Sequence, residues 1–182
     1  ARALEKAKTL PADGLILDLE DAVAPDAKAL GREQVCHAVK GGGYGGRELV
    51  IRINGLDTPW GKDDLAAAVA AKPDAVLVPK VESAAQVQAV EALLHTHHAP
   101  AETTIWCMME TPLGILHAEA IAGASKRVAC LVLGTSDLTK DLHARHTPLR
   151  LPMLTSLTLC LLAGRAYGLT VLDGVHLDLA DD

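Results

Sequence analysis

Short apolar runs that end in polar side chains recur along the chain, and stretches of helical character separate them. Leu15 to Leu19 runs into Glu20 and Asp21, and Glu48 to Gly55 carries Arg52 and Asn54 near its end. Asp74 to Glu82 closes on Lys80 and Glu82, and Ile105 to Met109 closes on Glu110. Leu131 to Leu133 leads through Gly134 and Thr135 to Ser136 and Asp137, and Thr170 to Leu172 leads to Asp173 and His176. Continuous apolar runs of this length fit strands buried on both faces of a parallel sheet. Helices are expected over Arg2 to Leu10, from Pro25 and Asp26 to about Val39, over Asp63 to Ala71, from about Ser83 to His95, and from about Met153 to Tyr167, where Gly168 stops the last. Thr111 and Pro112 suit the cap and first turn of a further helix.

Strand and helix therefore alternate six times, the pattern of repeated βα units. The polar residues gather where the strands end. In a (β/α)8 barrel those carboxyl ends form one face, and that face carries the active site. Six such ends in succession, bearing both signs of charge, point to a functional face more than to unrelated helix caps. A barrel takes eight strands and typically about 250 residues. This sequence has 182 residues, six strand patterns and a helical start. The expectation is a single α/β barrel domain over residues 1–182, incomplete at both ends, with first and last strands missing.

Composition narrows the function. Apolar residues make up 49% and charged residues 22%, a globular balance. No run is long enough to span a bilayer, and no signal-peptide pattern opens the sequence, so no membrane role is expected. A formal charge of −6 and 2% aromatic residues argue against a nucleic-acid partner. Cys36, Cys107, Cys130 and Cys160 lack C-x-x-C spacing and read as reduced core residues of a cytoplasmic protein. The run Gly41 to Gly46 contains G-x-G-x-x-G, but it leaves a helix and precedes a strand, the reverse of a dinucleotide loop, and reads as a surface connection. His95, His97 and His98 lie at a helix end, where histidines complement the helix dipole and face solvent.

Glu110 and Asp137 end consecutive strands. Two carboxylates reaching one pocket make a hard-cation site, because Mg²⁺ takes one or two protein carboxylates and leaves its other positions to water and substrate. Taken singly, each acid is better read as a helix-capping group, and only the pair points to a cation.

The segments Asp13 to Val23, Val50 to Asn54, Val78 to Glu82, Met109 to Thr111 with Gly114, Gly134 to Leu138, and Leu172 to Val175 resemble, in order, the citrate lyase β-subunit-like branch of the HpcH/HpaI aldolase superfamily. The resemblance implies a TIM barrel of the phosphoenolpyruvate/pyruvate-binding type, a Mg²⁺-dependent carbon–carbon lyase, and a homo-oligomer, trimer or hexamer. It implies Glu110 and Asp137 as Mg²⁺ ligands. It implies Arg52, Glu110, Gly134, Thr135 and Asp137 as the substrate-binding set, and Arg52, Glu20, Asp21 and Lys80 as the catalytic set. Glu20 and Asp21 would bond metal waters, and Asp18 would shape their strand end. An ion pair of Lys80 with Glu82 or Glu20 is an equally good reading of that lysine. The family's first strand, and its final segment with a lid that brings a catalytic acid from a neighbouring subunit, have no counterpart here. Arg2 and Lys6 are weak candidates for CoA phosphate contacts.

The implied reaction is retro-aldol cleavage of a 3-hydroxyacyl-CoA such as malyl-, citramalyl- or citryl-CoA. It gives an oxo acid and an acyl-CoA, with charge stabilised on oxygen by the cation and by Arg52. Acidic surroundings would keep Lys80 charged and unreactive as an amine. Two alternatives stay open. One is a class II pyruvate aldolase acting on free 4-hydroxy-2-oxoacids. The other is a non-catalytic CoA-binding protein or complex subunit.

Overall fold

A computed structural model describes residues 2–177. Eight α-helices and six strands alternate in it, and the strands follow chain order in the sheet, β1-β2-β3-β4-β5-β6. The α/β class read from the sequence is therefore what the chain adopts. Two compact units divide it, one of residues 1–79 and 89–105, the other of residues 80–88 and 106–182.

In the first unit, α1 (Arg2–Ala7) precedes β1 (Gly14–Asp18). A 3-10 turn (Pro25–Ala27) leads into α2 (Lys28–Gly41), followed by β2 (Glu48–Arg52), α3 (Gly61–Ala71) and β3 (Ala75–Val78). β1 pairs with β2, and β2 with β3, both in parallel. β3 is buried at every position, as a strand covered on both faces should be. β1 instead alternates, leaving Ile16 exposed. Val50, Ile51, Val76 and Leu77 are fully buried and form the centre of this core, and Leu65, Ala68 and Val69 line the apolar side of α3.

Two expectations shift here. The first helix stops at Ala7, short of Leu10, with Lys8 and Thr9 turning on hydrogen bonds to the Glu5 and Lys6 carbonyls. The glycine run does connect α2 to β2, but Tyr44 within it is 2% exposed, so the connection is anchored by an aromatic ring. α4 (Ala84–Thr96) runs from the second unit into the first, and His95, His97 and His98 are exposed at its end.

β4 (Thr104–Met109) carries the chain into the second unit, where α5 (Pro112–Leu116), α6 (Ala118–Ala122), β5 (Val128–Leu133) and α7 (Thr135–Asp141) follow. A second 3-10 turn (Leu151–Met153) opens α8 (Leu154–Tyr167), and β6 (Thr170–Leu172) pairs in parallel with β5. Thr111 caps α5 as expected, its Oγ1 accepting the Gly114 amide at 3.1 Å, with Pro112 opening the helix. Gly168 ends α8 in the left-handed region at φ 71°, which its missing Cβ permits. α8 packs through Cys160, Ala163 and Gly164. β6 is shorter than the pattern implied, ending at Leu172. The terminal acids Asp178, Asp181 and Asp182 lie outside the described residues. The four cysteines are buried and free, and burial pushes the Cys107 and Cys160 thiols up to about 12.

Candidate active site

Parallel pairing sets the first group of charges. Asp18 and Arg52 are register partners at the ends of β1 and β2, so their side chains meet. The Arg52 Nε donates to Asp18 Oδ1 at 2.7 Å and Nη2 donates to Oδ2 at 2.5 Å, a two-pronged pair. Nη1 lies 3.0 Å from Glu20 Oε2, and Nη2 lies 3.5 Å from Asp21 Oδ2. Asp18 also accepts the Glu20 and Ala22 amides, at 2.8 and 3.0 Å, which folds the chain after β1 into a turn presenting both acids. Burial works against the charged form of Asp18. The hydrogen bonds and charge of Arg52, helped by the two amides, outweigh it and hold the carboxyl below its ordinary range. Burial likewise opposes the Arg52 charge, and the acids around it raise its pKa in spite of that.

A polar layer fixes this turn, joining Asn54, which the strand pattern picked out, to Lys28, Asp64 and Arg32, which it did not. Lys28, buried at the start of α2, donates to the Leu19 and Glu20 carbonyls at 2.8 and 2.6 Å, with its ammonium 5.3 Å from the Trp60 ring centre. Asn54 donates to the Leu19 carbonyl at 2.9 Å and to Asp64 Oδ2 at 2.6 Å. Asp64 has no exposed surface, and its other oxygen accepts Arg32 Nε at 2.6 Å. Charges buried this deeply are tolerable because each is met by a partner. A lysine in the first turn of a helix gives no signal in the sequence, since position and spacing there are those of a solvated residue.

The second group lies in the second unit. Glu110 follows β4 directly and is 3% exposed. Its Oε1 accepts the Lys80 amide at 2.8 Å. Lys80 sits in the left-handed region at φ 49°, a strained place for a side chain with a Cβ. Its ammonium lies 3.9 Å from Glu110 Oε1 and 3.4 Å from Asp137 Oδ2. Asp137 stands in the first turn of α7. Gly134, between β5 and α7, donates its amide to the Met109 carbonyl at 3.1 Å. A Cβ at Gly134 would overlap the Glu110 side chain and stand 2.6 Å from its Oε2, so only glycine leaves room for that carboxylate. Thr135 is buried, and its carbonyl accepts Thr139 Oγ1 at 2.6 Å.

Glu110, Gly134, Thr135, Asp137 and Lys80 are thus gathered in one unit, while Arg52, Glu20 and Asp21 are gathered in the other. Glu110 and Asp137 thus lie near the Lys80 ammonium in addition to the Glu82 and Glu20 considered as its partners, and their distance in sequence hid both. Glu82 itself is held through its backbone, with its amide on Gln86 Oε1 at 2.6 Å and its carbonyl 2.7 Å from His117 Nδ1. Among the described residues no cluster of three or more His, Cys, Asp or Glu is placed to hold a metal. The donor set of Glu110 and Asp137 nevertheless fits a hard cation. Both carboxylates lie within 3.9 Å of the Lys80 ammonium, and their oxygen donors are the type Mg²⁺ takes.

The model of the family described as HpcH/HpaI aldolase/citrate lyase matches residues 1–182. The chain belongs to that family. A (3S)-malyl-CoA thioesterase of Cereibacter sphaeroides (strain ATCC 17025 / ATH 2.4.3) is 48% identical over 181 residues, covering 100% of this chain and 61% of the relative. An L-malyl-CoA/beta-methylmalyl-CoA lyase of Cereibacter sphaeroides (strain ATCC 17029 / ATH 2.4.9) is 39% identical over 150 residues, 79% of this chain and 47% of that one. A solved citrate lyase beta subunit from M. tuberculosis, complexed with oxaloacetate and magnesium, superposes with a TM-score of 0.75 at 31% identity, covering 93% of this chain and 72% of that chain. The chain spans about three-fifths of the length of the first of these family members and about half of the second. The family expected from the motifs, its citrate-lyase-like branch and its α/β fold are thereby shown. The relatives are enzymes, named as a thioesterase in one case and a lyase in the other.

Proposed function

We propose that this chain forms part of a Mg²⁺-dependent enzyme that cleaves the carbon–carbon bond of a 3-hydroxyacyl-CoA, of the malyl-CoA, citramalyl-CoA or citryl-CoA type. The observation that carries the reading is the Glu110–Asp137 pair, set on two consecutive strand exits with both carboxylates near the Lys80 ammonium. Its support from outside is the magnesium and oxaloacetate of the solved relative and the malyl-CoA named for the others.

When bound, the cation supplies a Lewis acid and template for the hydroxyl and carboxylate oxygens of the departing oxo acid. Glu110 is held ready for it by the Lys80 amide and by the space left at Gly134. Asp137 offers the second carboxylate from the start of α7. The Lys80 ammonium offsets the charge of the two acids and would compete with a bound cation for them, since a like charge nearby is unfavourable. Arg52, kept charged by its acids, provides N–H donors suited to a carboxylate or developing oxyanion. Glu20 and Asp21 are acceptors for bound water. Gly134 and Thr135 place backbone beside the substrate. Four buried, free cysteines fit a reducing, cytoplasmic compartment, and assembly of like chains completes the proposal.

A second reading, hydrolysis of the thioester, is favoured by the 48% identical relative named as a thioesterase. One assay separates the two. Malyl-CoA incubated with the full protein and Mg²⁺ releases a 2-oxo acid and an acyl-CoA if the carbon–carbon bond breaks. It releases free CoA thiol and the hydroxy diacid if the thioester is hydrolysed. Product formation unaffected by a chelator removes the metal from the mechanism.

A further inference from the structure

Arg150 stands out in the loop before α8. Among the described residues of the second unit it is one of three non-glycine residues held in the left-handed region, with Lys80 and His143, at φ 53°, and no motif in the sequence accounts for it. Its guanidinium grips Asp173, just past β6, through two bonds, Nη1 to Oδ2 at 2.6 Å and Nη2 to Oδ1 at 2.7 Å. The Arg150 bonds lead the influences that hold the Asp173 carboxyl below its ordinary range, so the pair stays ionised. Exposed ion pairs contribute little to stability, and these side chains are 38% and 58% exposed. Strain kept for a pair worth little to the fold points to a role in placement.

The contacts show what is placed. Asp173 Oδ1 also accepts the Gly174 amide at 2.6 Å, so the pair fixes the turn that leaves β6. Gly174 lies directly on Thr135: a Cβ there would overlap Thr135 Oγ1 and stand 2.7 Å from its Cγ2. Thr135 is the first residue of α7 and Asp137 is in the same turn. A continuous chain of contacts therefore runs from Arg150 through Asp173 and Gly174 to the segment that carries Asp137.

We infer that Arg150 is a positioning residue: through Asp173 and Gly174 it presses on Thr135 and fixes the backbone from which Asp137 reaches its cation. The consequence for metal affinity rests on the proposed Mg²⁺ site; the clamp on residues 134–138 does not. Arg150 touches no reacting atom and acts only through that backbone. Groups that orient a ligand without binding the metal are worth about 10- to 100-fold in metal affinity.

The test uses the full protein and two readouts, amide hydrogen exchange across residues 134–138 and calorimetric titration with Mg²⁺ alone. In Arg150→Gln, and independently in Asp173→Asn, exchange in that segment should quicken and Mg²⁺ should bind about tenfold more weakly. Arg150→Lys, which keeps the charge and loses the fork, should fall between. Tyr167→Phe, which removes a hydrogen bond to Glu119 elsewhere in the unit, should change neither readout. Folded variants with a lowered Tm but unchanged exchange at 134–138 would overturn the clamp. If the unaltered protein takes up no Mg²⁺, the metal site and the affinity effect are overturned, while the exchange result still decides the clamp.

Discussion

The two charged groups are built to opposite specifications. In the first unit one arginine meets Asp18, Glu20 and Asp21, with its closest bonds at 2.5 and 2.7 Å and its fork matched to a carboxylate in strand register. In the second unit the Lys80 ammonium stands 3.4 and 3.9 Å from Asp137 and Glu110, longer contacts than those of the arginine, on a strained backbone. A planar, directional, short-bonded cation is costly to replace. An ammonium is a compact point charge, and at these distances from Glu110 and Asp137 another cation can compete with it for them. The comparison teaches that the first group is fixed apparatus and the second is the exchangeable one, and each prediction sets one against the other.

The largest effect should come from the acids of the second group. Glu110→Ala or Asp137→Ala should lower Mg²⁺-dependent turnover about a thousandfold, the scale of losing several kcal/mol of Lewis-acid stabilisation. Circular dichroism should show the fold retained, and full activity in either variant would end the metal assignment.

Next comes Arg52→Met. It leaves three acids around an apolar side chain, and removing one member of a part-buried ion network costs about 3 kcal/mol. Denaturant titration should show this as a shifted midpoint. The same change at Lys80 should leave stability nearly untouched, and equal losses at the two positions would erase the contrast.

A smaller effect concerns acid. The folded-state pKa of Asp18 lies below the ordinary 3.8, so its stabilising contribution is complete above that value and is lost as pH falls through the depressed folded value. Asp18→Asn should therefore lose about 2 kcal/mol at neutral pH, the scale of a charge-assisted hydrogen bond, and should narrow its deficit below pH of about 4. Melting curves at neutral and acid pH measure this. A deficit that persists unchanged at low pH would mean the loss is packing, not charge.

The smallest effect should come from Lys80→Met. Without the competing ammonium, Mg²⁺ should bind several-fold more tightly, about 1 kcal/mol at effective surface screening. Weaker binding on calorimetric titration would make Lys80 a partner of the site and not a placeholder.

Much of this was legible in the sequence because strand exits are local events. The apolar runs, the Thr111–Pro112 start, the Gly168 stop and the polar residue after each strand are written in contiguous residues, and they delivered six strands, the α/β class and the family. The edges were less legible: Tyr44 in a glycine run is buried, and β6 is short, since both depend on what packs against them. Lys28, Asp64 and Arg150 were invisible for a stronger reason. A lysine, an aspartate and an arginine in polar stretches look solvated, and only packing takes water away from them.

The order of hydrophobic and polar residues by itself determined which side chains stand at the carboxyl ends of the strands, because periodicity and turn chemistry act over a few residues. Tertiary structure alone decided who meets whom. Lys80 faces Glu110 and Asp137, 30 and 57 positions away, because parallel strands bring distant exits level. Arg150 faces Asp173, 23 positions on, because a helix and a strand return the chain to the same end. Contacts of that reach are chosen by the packing of the core, and no stretch of sequence short enough to read locally contains them.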